Sequence, residues 1–111
     1  MLNQIVLVGR LTSDLEVKEL EEGKKETTMT LAIPRSYKNF DGEYETDFIT
    51  CRLLNNIAEN TAEYCKKGDI VGVKGRLQSI VVENILEEKE YKMEVVAEKV
   101  TFLSSRKSEE E

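Results

Sequence analysis

Residues 45–78, "ETDFITCRLLNNIAENTAEYCKKGDIVGVKGRLQ", change periodicity twice, and the order of the changes decides the fold. In "TDFITCRLL" side chains alternate between two faces, so that Ile49, Cys51 and Leu53 form one set while Phe48, Thr50, Arg52 and Leu54 form the other. From Asn55 to Lys67 the spacing turns helical, with Ile57, Ala58, Ala62 and Cys65 recurring beside Thr61 and Tyr64, and Gly68 stands as a stop after two lysines. "DIVGVKGRLQSI" then returns to period two, setting Val71, Val73, Gly75 and Leu77 against Gly72, Lys74, Arg76 and Gln78. A strand, a single helix and a strand are the expected elements.

Upstream, "NQIVLVGRL" is an apolar, β-branched run that predicts a first strand over Asn3 to Leu11, and "LEVKEL" extends it after a bend. "KETTMTLAIPRSY" is Thr-rich and alternating and predicts a second strand ending between Pro34 and Tyr37. The Asp-Gly of "KNFDGEYE" turns it into the third. Downstream, the turn-like "ENILEE" leads into a last long strand, "KEYKMEVVAEKVTFL". Three strands, a helix and two strands predict an all-β, five-stranded OB-fold Greek-key barrel with one helix between strands 3 and 4. One such domain fills residues 1–103, and 104–111, within "SSRKSEEE", has nothing to bury and is expected to be a short disordered tail.

Composition narrows the function. With 111 residues the chain has room for one core. The start "MLNQIVLVGRLTSD" carries neither a basic leader nor a cleavage site, and no apolar run reaches membrane-spanning length, so a cytoplasmic protein is expected. There is no His, and Cys51 and Cys65 lack zinc-ligand spacing. No metal, no cofactor, no catalytic residue and no enzymatic activity are expected, and both cysteines are assigned to the core as reduced thiols. The formal net charge of −6 argues against polyanion binding by bulk charge. Acidic residues cluster around 20, 88 and the C-terminus, leaving a local basic stripe open to Arg35, Lys38, Arg52, Lys66, Lys67, Lys74 and Arg76.

Four of the seven aromatic residues, Tyr37, Phe40, Tyr44 and Phe48, fall around the second hairpin turn. In an OB-fold, strands 2 and 3 form the face that takes oligonucleotides or oligosaccharides, walled by the loops between strands 1 and 2 and between 4 and 5. Because aliphatic residues already fill the inward positions of the third strand, Phe48 is a candidate base platform with Arg52 as its cation and Tyr37 as a second platform. Phe40 and Tyr44 flank a loop placed to close over a strand, while Lys74 and Arg76 are candidates for phosphate contact. The alternatives are that Tyr37 and Phe48 cap the barrel while Phe40 and Tyr44 pack a loop, that Lys74 and Arg76 are solvated surface, and that Lys66 and Lys67 complement the helix dipole. "SIVVENI" is apolar where charge is usual, and Ile80, Val81, Val82 and Ile85 are candidates for a subunit contact.

"NQIVLVGRLTSDLEVK", "TLAIPRSYKN", the 45–78 stretch and "MEVVAEKVTFL" together resemble the bacterial single-stranded DNA-binding protein family over nearly the whole chain. The resemblance implies sequence-independent binding and protection of single-stranded DNA in replication, recombination and repair. It also implies a homotetramer, with a dimer as the other possibility, in the nucleoid-associated cytoplasm. Tyr37 and Phe48 match its stacking aromatics, Leu54 stands where Trp or Phe is frequent, and Lys18 and Lys67 match basic positions. The expected DNA-binding set is therefore Lys18, Arg35, Tyr37, Lys38, Phe40, Phe48, Arg52, Leu54, Lys67, Lys74 and Arg76. The family docks replication and repair enzymes through an acidic tail ending in Pro-Phe; "SSRKSEEE" has the acids without that anchor, so tail-mediated recruitment is not expected. Two alternatives stay open: a primosome-like OB-fold interaction module with weakened DNA binding, and a single-stranded RNA binder.

Overall fold

The computed structural model describes residues 1–104. In chain order the elements are β1 (Ile5–Leu11), a two-residue β2 (Lys18–Glu19), a short 3-10 turn (Glu21–Gly23), β3 (Lys25–Lys38), β4 (Tyr44–Leu54), α1 (Asn55–Tyr64), β5 (Ile70–Glu83) and β6 (Lys89–Ser104). Strand neighbours run β1–β5–β6–β4–β3, and β1 pairs with β3 through Arg10–Ala32 and Leu11–Leu31, which closes five strands into a barrel. The lone helix lies between β4 and β5, as the OB-fold expectation required. Closure removes free sheet edges except where strands outrun their partners. β4 and β6 pair in parallel over only Cys51–Val95 and Arg52–Val96, whereas β5 and β6 stay paired from Ile70–Ser104 to Glu83–Lys89 and project as a long hairpin.

Alternation built the interior. Met29, Leu31, Cys51, Leu53, Val71 and Val73 come from the inward phases of β3, β4 and β5 and are fully buried with Leu11, Val95 and Ala97. Each large aliphatic side chain taken out of water contributes about 1.5–3 kcal/mol, which explains why the strand phases cannot slip. Ala58 and Thr61 of α1 and Cys65 beyond it plug one end of this core. Both cysteines are free and buried, and burial pushes each thiol up to about 11, leaving no reactive thiolate near neutral pH.

Three expectations need correction at the element ends. β1 begins at Ile5 rather than Asn3, because the Asn3 amide takes over the ladder, donating to the Leu77 carbonyl at 2.7 Å and accepting from the Leu77 N–H at 3.0 Å. "LEVKEL" forms no extension of β1; only Lys18 and Glu19 are extended, and they pair with Glu26 and Lys25 of β3. α1 stops at Tyr64 instead of Lys67, since Asp69 accepts from the Lys66 N–H at 2.8 Å and its own N–H donates to the Lys66 carbonyl. Lys66 and Lys67 thus lie past the helix, so the dipole alternative lapses. Beyond Ser104, the last residue of β6, the expected tail lies outside the described residues.

Candidate nucleic-acid interface

The outer face of β3 and β4 is a ladder fixed by register. Its rows are Pro34–Thr46, Ala32–Phe48, Thr30–Thr50, Thr28–Arg52 and Glu26–Leu54, and the last row continues to Lys18 through the Lys18–Glu26 pair. Phe48 is 68% exposed although its strand neighbours Cys51 and Leu53 are fully buried. With the small Ala32 opposite, its ring stands clear as a flat apolar surface. Two hydroxyls, Thr30 and Thr50, share a 2.9 Å hydrogen bond in the next row. Leu54 is half-buried at the start of the helix and offers less platform than an aromatic there would.

A second group gathers at the β3–β4 turn. Arg35, Tyr37, Lys38, Asn39, Phe40 and Glu45 line a concavity of about 470 Å³. Tyr37 is exposed, Phe40 at the loop is fully so, and the Lys38 ammonium sits 5.7 Å from the centroid of the exposed Tyr44 ring. Tyr37, like Phe48, is exposed rather than packed on the barrel, against the capping alternative, and Phe40 and Tyr44 stand exposed at the turn rather than packed into the loop. Arg35 is committed locally: its guanidinium donates to Asp47 through Nε at 3.1 Å and Nη2 at 2.9 Å and also meets Glu45. That fork holds the Asp47 carboxyl below its ordinary value and raises Arg35 further.

The remaining cations divide. Arg52 faces outward as its strand phase predicts, but it donates to Glu26 of β3 and, at 3.4 Å, to Glu94 of β6, and the bond to Glu26 raises its pKa. Arg76 of β5 lies in the row Arg52–Val96–Arg76, bonded to Glu98 at 3.2 Å and to Gln78 at 3.3 Å. Lys74 lies in another row, between Val6 of β1 and Lys99 of β6, away from the β3–β4 face. Lys67 is exposed after the helix, its N–H given to Asp14 at 2.8 Å. Lys18 is exposed beside Glu26. The structure therefore joins Phe48, Arg52, Leu54 and Lys18 on one face, sets Arg35, Tyr37, Lys38 and Phe40 at its end, links Arg76 to Arg52, and leaves Lys67 and Lys74 elsewhere.

Sequence reading missed the contribution of β6. Met93 and Glu94 line a cleft of about 320 Å³ with Glu26, Thr28, Thr50 and Arg52. Val81 and Tyr91 are direct cross-strand partners and both are exposed, next to the Ser79–Met93 pair two residues on. The available signal was the period-two placement of Tyr91 and Met93 in "EYKME", which puts them on one face. The four "SIVVENI" residues do not act as one apolar set: Val81 is exposed on that face, Ile80 and Val82 are half-buried on the other, and Ile85 is at the loop.

A closed barrel of this topology, with an exposed aromatic ring on its outer β3–β4 face and two long hairpins, is an OB-fold, a class whose corresponding face takes oligonucleotides or oligosaccharides. The family model described as the single-strand binding protein family matches residues 2–103. The chain is 44% identical to single-stranded DNA-binding protein B of Bacillus subtilis (strain 168), covering 98% of this chain and 96% of that one. It is 43% identical to single-stranded DNA-binding protein 3 of Streptococcus agalactiae serotype V (100% and 80%) and 44% identical to single-stranded DNA-binding protein 3 of Listeria innocua serovar 6a (97% and 68%). The chain belongs to the single-strand binding protein family. Membership bears out the single-stranded DNA reading of the sequence.

Proposed function

We propose that the chain binds single-stranded DNA along the outer face of β3 and β4 without sequence preference, with bases stacked on Phe48 and, at the hairpin end, on Tyr37 and Phe40. The observation that carries this reading is the ring of Phe48, 68% exposed on a strand whose inward positions are filled. Every base offers a π-face, so stacking tolerates any sequence. Lys18 and Lys38 are the phosphate contacts nearest these rings, with Leu54 as apolar floor. Arg35, Arg52 and Arg76 reach phosphate only by exchanging a carboxylate. Lys67 and Lys74 extend the path if the strand continues around the barrel. The β5–β6 hairpin, through Val81, Tyr91 and Met93, is the second wall.

The protein acts by binding alone, covering exposed strands in replication, recombination and repair in the nucleoid-associated cytoplasm, as a homotetramer or dimer. Among the described residues no helix is long and apolar enough to cross a membrane. No observation favours the interaction-module or RNA readings.

Titration of an oligo-dT strand at low salt tests the site. Phe48→Ala is expected to weaken binding by about 1–3 kcal/mol, the scale of one base stack, with the unfolding midpoint unchanged. Equal affinity in the variant removes Phe48 from the site, and a wild type that does not bind at low salt overturns the reading.

A further inference from the structure

Arg52 and Arg76 are members of one continuous polar chain laid across four strands. Glu26 of β3 accepts from Arg52 of β4. Arg52 donates to Glu94 of β6, whose same oxygen accepts from Gln78 of β5 at 3.4 Å. The Gln78 carbonyl oxygen accepts from Arg76, and Arg76 donates to Glu98 of β6. Beneath it, Val96, flanked in register by the two arginines, is only 3% exposed, so long side chains lie over it rather than reaching into solvent. The chain holds two cations and three carboxylates, so the two arginines of the expected basic stripe that lie in it sit in a net negative network.

A phosphate arriving at Arg52 meets a guanidinium that two carboxylates already occupy. Exchange makes one charged contact while breaking another, and a displaced carboxylate recruits a cation as the phosphate releases one. The exchange therefore yields little affinity and almost no counterion release. We propose, building on the functional reading above, that Glu26 and Glu94 are the affinity-setting residues of the strand-binding face: they withhold Arg52 from phosphate, so that binding is weaker and less salt-dependent than it would be with that guanidinium free.

The test is a double-mutant cycle read by oligo-dT titration across a salt series. Glu26→Gln/Glu94→Gln keeps shape while freeing Arg52; it is expected to bind about threefold to tenfold tighter at low salt, with the salt slope steeper by about 0.7, the value for one added phosphate contact on a single strand. Arg52→Gln is expected to abolish the gain in the double variant and to take away the added 0.7 of slope; in the wild type, where it unpairs Glu26 and Glu94, it is expected to weaken binding with the salt slope unchanged. If the double variant unfolds, Glu94→Gln alone, which removes one of the two carboxylates and leaves the Glu26–Arg52 bond in place, is expected to steepen the slope by less than about 0.7, and an unchanged slope there overturns the inference. Unchanged or weaker binding in a folded double variant overturns the inference, as does a salt slope shallower by about 0.7 from Arg52→Gln in the wild type, which would mean that Arg52 already contacts phosphate there. Failure of the wild type to bind at low salt overturns instead the functional reading on which it rests.

Discussion

The two hairpins of the barrel close with one device written in two sequences. In "NFDGEYE", residues 39–45, Asn39 Oδ1 accepts the N–H groups of Asp41 and Glu43, its N–H meets the Glu43 carbonyl, and its Nδ2 donates to Glu45 at 3.1 Å. In "NILEEKE", residues 84–90, Asn84 Oδ1 accepts from Leu86 and Glu88, its N–H meets the Glu88 carbonyl, and its Nδ2 donates to Glu90 at 3.1 Å. The residue after each Asn is a fully exposed apolar side chain, Phe40 or Ile85. The fourth position is left-handed in both, at φ 76° for Gly42 and 62° for Glu87. Backbone demand is the same, and the two loops differ in how well the residue suits it. They differ too in what they present, an aromatic beside Lys38 on one and an aliphatic pair among acids on the other.

Attachment to the barrel separates them further. β3 and β4 keep register within the barrel from Glu26–Leu54 to Pro34–Thr46 and shift only toward the turn, between Pro34 and Lys38, whereas β5–β6 shifts between Ile70 and Val71 and again between Lys74 and Gly75. There a Cβ on residue 75 would lie 2.1 Å from the Val96 carbonyl oxygen, which no rotamer can relieve. Gly75→Ala is expected to cost about 3 kcal/mol or more, seen as a lower urea midpoint at constant slope. A cost within experimental error would mean that the long hairpin is not pinned at its bulge.

The turns themselves give a smaller, signed pair. Only a residue without Cβ sits in the left-handed region freely, so Glu87→Gly is expected to stabilise by about 0.5–1 kcal/mol, and Gly42→Ala to destabilise by a similar amount. Thermal midpoints of the two variants should move in opposite directions. Movement in the same direction would break the equivalence of the loops.

That pair also marks where sequence was legible. Asp41-Gly42 announced the first turn, while Leu86-Glu87 carries no turn signal and its loop was readable only from the polarity around it. Period two placed Ile49, Cys51 and Leu53 inward and left Phe48 outside, because a barrel's inward phase is filled mainly by apolar side chains, the polar Thr27 being admitted with its hydroxyl bonded to the Glu16 carbonyl. It also placed Arg52 outward correctly, but not what holds it: Glu26 and Glu94 lie on two other strands, and the parallel β4–β6 contact that brings Glu94 near is two residue pairs long. Charge counting along a chain cannot see such pairings, and that is why the arginines of the expected basic stripe, Arg35, Arg52 and Arg76, are held by carboxylates. The Lys66–Lys67 error was local, since the buried Asp69 carboxylate captures a helix end that helical spacing alone would prolong.

The smallest effect concerns the stem of the first hairpin, where Arg35 of β3 clamps Asp47 of β4 through two parallel bonds. The clamp lowers the carboxyl below its ordinary 3.8, chiefly through the hydrogen bond from Arg35. A depressed folded pKa contributes stability above the unfolded value, and that contribution is lost as pH falls through the folded one. Between about pH 5 and pH 2 wild type should therefore lose more thermal stability than Asp47→Asn, whose amide does not titrate. The pair is solvent-exposed, so the difference should be slight and should shrink with added salt. Parallel acid profiles for the two proteins would show that the clamp adds nothing measurable to the stem, leaving the Asn39 turn and the β3–β4 pairing from Glu26–Leu54 to Pro34–Thr46 to hold the hairpin.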